Sequence, residues 1–124
     1  MHKSGYLKKK GSGSSLFGRR NWNTRYFVIT GNSLGYWKSD KDFKSNQSPI
    51  KGSQMDLTKC LVEAVDTDKY KGMFLFEIKT WNKKLNTYDE KELRLLATSD
   101  EERQGWMKGI NLASQQGAGD EFQC

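Results

Sequence analysis

Trp22-Asn23-Thr24-Arg25-Tyr26-Phe27-Val28-Ile29-Thr30-Gly31-Asn32-Ser33-Leu34-Gly35-Tyr36-Trp37-Lys38 is the stretch whose reading decides the fold. Residues 22–30 are crowded with aromatic and β-branched side chains, which suit a pleated, half-buried surface. Residues 33–38 make a second such run, and only Gly31-Asn32 separates the two. Two turn-forming residues between two strand-like runs are the strongest short-range signal for an antiparallel hairpin. Alternate residues of a strand share a face, so Arg25 lies with Phe27 and opposite to Tyr26 and Val28.

Working outward, residues 4–10 read as a strand in which Lys8 and Lys10 share one face and Lys9 points the other way. Gly11-Ser12-Gly13-Ser14-Ser15 then marks a flexible turn. After the hairpin, residues 39–48 are polar and end at Pro49. Further strands are expected at 50–57, 60–65, 73–79 and 92–98, the last two separated by a polar loop over 80–91. At Ser99 the pattern changes. Ser99-Asp100-Glu101-Glu102 fits a capping box, and three acids suit the positive end of a helix dipole. Trp106, Ile110 and Ala113 recur at helical spacing as one apolar stripe. Gly105 and Gly109 each cost a helix about 1 kcal/mol, and are read as allowing close approach to the sheet. The reading is mainly β: a seven-stranded antiparallel, partly open barrel or sandwich capped by one C-terminal α-helix. Residues 1–3 are expected to be an N-terminal extension, 4–115 the domain, and 116–124 a flexible tail. Trp22, Phe27 and Trp106 are assigned to the core, and Cys60 is read as a small buried hydrophobe.

The 124 residues suffice for one domain, and four Trp, five Tyr and six Phe are more than a disordered chain would carry. No run of apolar residues is long enough for a membrane-spanning helix, and the first residues lack the apolar core of a secretory signal. Two cysteines, Cys60 and Cys124, make no disulfide framework, which suits a reducing, cytoplasmic setting. Catalysis is not expected. The single histidine, His2, lies at the terminus, so no nucleophile–histidine pair is in prospect, and the metal-ligand count fails. No cofactor is implied. The net charge of +6 is unevenly spread. Residues 1–51 hold eleven Lys and Arg against two acids, a balance of +9, leaving −3 for residues 52–124. Such asymmetry points to one electropositive face and a polyanionic partner.

Four motifs in order carry a family resemblance. Gly5-Tyr6-Leu7-Lys8-Lys9, the Trp22–Ile29 run with its Trp-x-x-Arg-aromatic-Phe pattern, Leu34-Gly35-Tyr36-Trp37-Lys38, and Trp106 in the capped helix resemble the pleckstrin-homology family over about residues 4–115. The resemblance implies a membrane-targeting module of a kind that often binds phosphoinositide headgroups, at the open end of the barrel; peripheral membrane association and a monomeric isolated domain are expected. Position by position it assigns phosphate contacts to Lys9, Arg25, Tyr36 and, less directly across a loop, Lys51. One position departs from the family pattern: strong binders carry Lys or Arg two residues before the second-strand Arg, where this chain has Asn23. That departure argues against high-affinity, 3-phosphate-selective binding and leaves weaker or less selective binding open.

The residues say the same without the family. A headgroup is a compact polyanion, and binding it takes several cations in one concave place, Arg as a planar fork and Lys as a point charge. In the loop over 11–21, Arg19 and Arg20 add charge beside Leu16-Phe17. That apolar pair has two readings, insertion into a lipid surface or folding back onto the core. Arg25 has an alternative as an ion-pair partner, Tyr36 as half-buried packing, and Lys83 and Lys84 as either a far wall of the site or solvated loop charges. Two other functions compete. A module of this fold can dock a peptide or small GTPase, along a sheet edge near the helix. Nonspecific nucleic-acid binding is less favoured, because the aromatics sit where packing needs them and the cations cluster round one loop.

Overall fold

Strands β1 (His2–Lys10) and β2 (Trp22–Thr30) pair antiparallel along their whole length, from His2 opposite Thr30 to Lys10 opposite Trp22. The computed structural model describes residues 2–10, 22–66, 68–82 and 84–122. The β2–β3 hairpin closes as expected, with Thr30 opposite Ser33 and Gly31 at φ 63 in the first central position of the turn. That position needs a left-handed backbone, which glycine adopts without strain. After β3 (Ser33–Trp37) come helix α1 (Asp40–Lys44), β4 (Met55–Asp56), β5 (Leu61–Val65), β6 (Phe74–Asn82), β7 (Thr87–Ala97) and helix α2 (Asp100–Phe122). The sheet order is β4-β3-β2-β1-β7-β6-β5, with every neighbouring pair antiparallel. The sheet does not close: β4 and β5 are its two edges.

The core lies on the inner face of this curved sheet, under α2. Leu7, Phe27, Ile29, Leu34, Phe76, Ile78 and Leu95 are buried there with Trp106, Ile110 and Ala113 of the helix stripe. Gly5 of β1 explains the small residue in the opening motif: a Cβ there would stand 3.4 Å from the Trp106 ring. The ring takes the space that a side chain would have filled.

The cap of α2 departs slightly from the box read in the sequence. Ser99 Oγ accepts from Glu102 N at 3.1 Å, but the Glu102 carboxylate reaches past the cap residue to accept from Thr98 N and Thr98 Oγ1. Arg103 ties the helix down. Its guanidinium donates to Asp66 at 2.9 Å, to Asp100 at 2.8 and 3.1 Å, and to the Leu75 carbonyl at 3.1 Å, and the residue is 9% exposed.

β1 begins at His2, and α2 runs to Phe122. Several strand and packing expectations need correction. The strand expected over 50–57 shrinks to Met55–Asp56, because the Ser53 amide turns back onto the Ile50 carbonyl with Gly52 at φ 79. The loop expected over 80–91 is largely a continuation of the β6–β7 hairpin, with Trp81 opposite Tyr88 and Asn82 opposite Thr87 beyond a bulge. Trp22 is only half-buried, since it occupies the last rung of its ladder beside Lys10. Gly105 makes no tight approach to the sheet: a Cβ there would meet only the flexible end of Lys3 at 3.6 Å. Cys60 is buried, and burial pushes its thiol pKa up, as for an inert core cysteine.

Candidate functional site

Register decides which basic residues meet. In an antiparallel pair, directly opposed residues project from the same face. Gly5 opposes Phe27, Leu7 opposes Arg25 and Lys9 opposes Asn23, so all six share the inner face. Leu7 and Phe27 are buried in the core. Arg25 and Lys9 are therefore the next inner-face residues beyond that apolar layer, at the end of the sheet from which the chain leaves β1 and enters β2. On the far side of β2, Tyr36 opposes Phe27 and joins the same face. Its ring centroid lies 5.0 Å from that of Phe27, and Lys9 Nζ sits 5.4 Å from the Tyr36 centroid. The structure thus brings together Lys9, Arg25 and Tyr36 above the core.

Their partners are few. Arg25 Nη1 donates to the Thr24 carbonyl at 2.8 Å and Lys9 Nζ approaches the Lys10 carbonyl at 3.5 Å. Among the described residues no carboxylate pairs with either, which removes the ion-pair alternative for Arg25 there. A guanidinium has five N–H donors, so Arg25 keeps most of its donors for a ligand. The Tyr36 side chain is half-buried, and its hydroxyl has no hydrogen-bond partner among the described residues. Lys51 is held near this group by its backbone. The turn at Ile50–Ser53 docks on β3, with Ile50 N donating to the Tyr36 carbonyl at 2.9 Å and Ser53 Oγ bridging the Tyr36 amide and carbonyl. Lys51 occupies the exposed second position of that turn.

Arg19 and Arg20, and the apolar pair Leu16 and Phe17, lie outside the described residues, as does Lys83. Lys84 stands at the tip of the β6–β7 hairpin and is exposed. On the opposite face of β1, Tyr6, Lys8, Thr24, Leu96 and Thr98 line a groove of about 320 Å³. With one cation and a mainly apolar lining, it is poorly built for a polyphosphate. Beside it runs an outer-face aromatic row that the sequence reading had not singled out. The Tyr6 and Tyr26 rings lie 5.1 Å apart, Tyr26 and Phe43 5.9 Å, and Trp37 and Phe43 4.8 Å. Phe43 belongs to α1, whose signal was present in the sequence: Ser39 caps the helix by accepting from Asp42 N at 3.2 Å. The Tyr6 hydroxyl pins the helix by donating to the Asp40 carboxylate at 2.7 Å and accepting from Asp40 N at 2.9 Å. Hydrogen bonding to Tyr6, ahead of the Lys44 ammonium, holds the Asp40 carboxyl below the ordinary aspartate range.

An open seven-stranded antiparallel sheet, capped by a helix that buries a Trp over a strand glycine, defines a class of small mainly-β domains. The family model of the PH domain matches residues 1–115, and the chain belongs to that family. Human Rho GTPase-activating protein 25 is 31% identical over 109 residues, covering 86% of this chain and 15% of that protein. The chain therefore spans only a small part of the curated relative it matches. Among solved structures, the pleckstrin homology domain of human KIAA0053 protein superposes with a TM-score of 0.68 at 29% identity, covering 91% of this chain and 87% of that one. The C-terminal PH domain of pleckstrin, solved in complex with D-myo-Ins(1,2,3,5,6)P5, gives 0.63 at 26% identity, covering 92% and 96%. No helix among the described residues is long and apolar enough to cross a membrane.

Proposed function

We propose that this domain is a membrane-targeting module that binds phosphoinositide headgroups on an anionic, cytoplasm-facing membrane surface through Lys9, Arg25, Tyr36 and Lys51. Arg19 and Arg20 in the β1–β2 connection add to the same electropositive end in this reading. The observation that carries it is that Lys9 and Arg25 stand together on the inner face, beside Tyr36, with no carboxylate to neutralise them among the described residues. A site that leaves a guanidinium, an ammonium and a phenol hydroxyl without protein counter-charges suits an anion with several phosphate oxygens. The inositol pentakisphosphate held by a pleckstrin PH domain of the same fold supports that ligand class. The uneven charge of the chain adds long-range attraction to the same surface.

The test is binding to liposomes that carry each phosphoinositide in turn, at physiological salt, by the intact chain and by Arg25→Ala and Lys9→Ala/Arg25→Ala. Charged hydrogen bonds of this kind are each worth about 1.5–3 kcal/mol, so Arg25→Ala should weaken binding roughly tenfold to a hundredfold. Binding that tracks total negative charge and ignores both substitutions would make the patch a diffuse electrostatic anchor. Absence of vesicle binding would end the reading and leave a protein partner to be sought.

A further inference from the structure

We infer that Ser48 is a phosphorylation site for a proline-directed protein kinase, and that a phosphate there releases the domain from an anionic membrane. The inference rests on the membrane-binding reading above and adds its regulation.

The sequence supplies what such a kinase reads. Pro49 is the single proline of the chain, so Ser48-Pro49-Ile50-Lys51 holds its one Ser-Pro or Thr-Pro step. Proline has no backbone N–H and keeps the residue before it extended. A kinase pocket that offers no acceptor to the amide after the target serine selects for that step, and a cation three residues on, here Lys51, suits an anionic subsite. The fold displays these residues. Ser48 is exposed and lies in the stretch 47–50, which is neither helix nor strand. Among the described residues neither its amide nor its hydroxyl makes a hydrogen bond. The anchors fall on either side: Trp37 Nε1 donates to the Gln47 carbonyl at 2.8 Å, and Ile50 N to the Tyr36 carbonyl at 2.9 Å. Pro49 packs on β3, where a Cβ on Gly35 would stand 3.5 Å from the proline ring. Ser48 is therefore carried on a short surface bracket, and two single hydrogen bonds are what a kinase must open to draw it into its cleft.

The bracket stands at the end of the sheet proposed to hold the headgroup. It follows β3, whose last residue, Trp37, opposes Tyr26, the neighbour of Arg25 in β2. It returns to the sheet at Tyr36, and Lys51 lies three residues from Ser48, at most about 10 Å of chain. In the modification, Ser48 Oγ bonds to the γ-phosphorus of ATP as the bond to the bridging oxygen of ADP breaks. The hydroxyl proton leaves to a carboxylate of the kinase and then to solvent. The product carries about −1.5 to −2 charges at neutral pH. Residues 38–51 hold four lysines against Asp40 and Asp42, a balance of +2. One phosphate therefore brings the whole segment close to neutral. It also gives Lys51, exposed and without an ion-pair partner among the described residues, a counter-charge inside the protein, in competition with a lipid phosphate.

The test treats the intact chain and Ser48→Ala with a proline-directed serine kinase and ATP, and locates incorporated phosphate by mass spectrometry. Affinity is then read by sedimentation with phosphatidylcholine vesicles doped with phosphatidylserine and phosphatidylinositol bisphosphate. The intact chain should take one phosphate, at Ser48, and Ser48→Ala none. A unit charge near such a surface is worth about fivefold in affinity. The phosphoprotein should therefore bind roughly tenfold to thirtyfold more weakly, with the affinity restored by a phosphatase. Kinase-treated Ser48→Ala should bind as the untreated chain does. A folded chain that takes no phosphate at Ser48 would overturn the site, whatever the vesicles show. Full incorporation with unchanged vesicle affinity, and Arg25→Ala still defective, would overturn the switch and leave the headgroup reading standing. A loss of affinity that comes with a fall in Tm would overturn it too, because the phosphate would then act by unfolding the domain. An unmodified chain that binds no vesicles would sink both readings together.

Discussion

Arg25 and Arg103 are the same side chain in two opposite situations. Arg103 is 9% exposed, and three protein acceptors take up its donors: two carboxylates and the Leu75 carbonyl. Burial alone would lower its pKa, yet its hydrogen bonds and attraction to Asp66 and Asp100 outweigh that and leave it raised. Arg25 sits at the opposite extreme, half-buried above the core, with one backbone carbonyl and no carboxylate among the described residues. The protein has spent acids on one arginine and withheld them from the other. A guanidinium whose counter-charges are internal fastens two elements together, whereas one without them is available to an anion from outside. Geometry and partners, not residue type, assign the role.

The sharpest way to break this comparison is to exchange the expected defects of the two alanine variants. Arg25→Ala should bind anionic vesicles about tenfold to a hundredfold more weakly while its stability stays within roughly 0.5 kcal/mol, as for a surface change. Arg103→Ala should do the reverse. It takes one donor from the Leu75 carbonyl and releases Asp66 and Asp100, but those acids are 69% and 49% exposed and can rehydrate. The loss is therefore about 1–3 kcal/mol rather than the full cost of a stranded buried charge, a fall in Tm of roughly 3–10 °C. Thermal melts and vesicle sedimentation on the same samples decide it. An Arg25→Ala protein that melts as early as Arg103→Ala would make Arg25 structural and end the distinction.

Most of the fold was legible because it rests on local chemistry. The β2–β3 hairpin was fixed by Gly31-Asn32 between two aromatic runs, and α2 by Ser99 with its acids and the Trp106–Ile110–Ala113 stripe. What was missed depends on pairing across the sheet. The β6–β7 hairpin was hidden because residues 80–91 are mostly polar, although Trp81 and Tyr88 flanking a turn through Asn86 were a usable strand signal. β4 was overdrawn because β-propensity at Ile50 cannot show that Gly52 will turn the chain first. For the site, alternation within each strand put Lys9 and Arg25 on definite faces. Only the register, Leu7 opposite Arg25, shows that those faces are one and the same. That Arg103 consumes Asp66 and Asp100 is equally a tertiary fact.

Asn23 offers a smaller effect that sharpens the contrast. It opposes Lys9 on the inner face, where the family pattern places a cation. Asn23→Arg should add a third charge within reach of the same ligand, worth about 1 kcal/mol near an anionic surface, or roughly fivefold in vesicle affinity. The gain should disappear in an Arg25→Ala background if the two side chains share one phosphate cluster, and should persist unaltered if the added charge acts only through bulk attraction. Titrations of the single and double variants separate the two outcomes by their coupling.

The smallest effect concerns an acid that is partnered on the outer face, where Tyr6 and Asp40 pin α1 to the sheet. The Asp40 carboxyl titrates lower in the fold than in the open chain, first because Tyr6 donates to it. Its contribution is therefore complete above the open-chain value near about 3.9 and is lost as pH falls through the lower folded value. Tyr6 behaves in the opposite sense. The Asp40 amide, donating to the phenol oxygen, favours ionisation, but the phenol's own bond to the carboxylate, burial and the Asp40 charge outweigh it, and the pKa rises. That contribution is complete below about 10 and is lost as pH climbs through the raised value. Helix α1 should thus stay seated through the neutral range and loosen at both extremes. Trp37 reports the event, since its ring packs on Phe43 and its Nε1 donates to the Gln47 carbonyl at 2.8 Å. In Tyr6→Phe the acid limb of the Trp37 fluorescence titration should move to higher pH, towards the ordinary aspartate range, while headgroup binding at neutral pH stays unchanged. An acid limb that does not move would mean that the aromatic row, not the Tyr6–Asp40 bond, holds the helix in place.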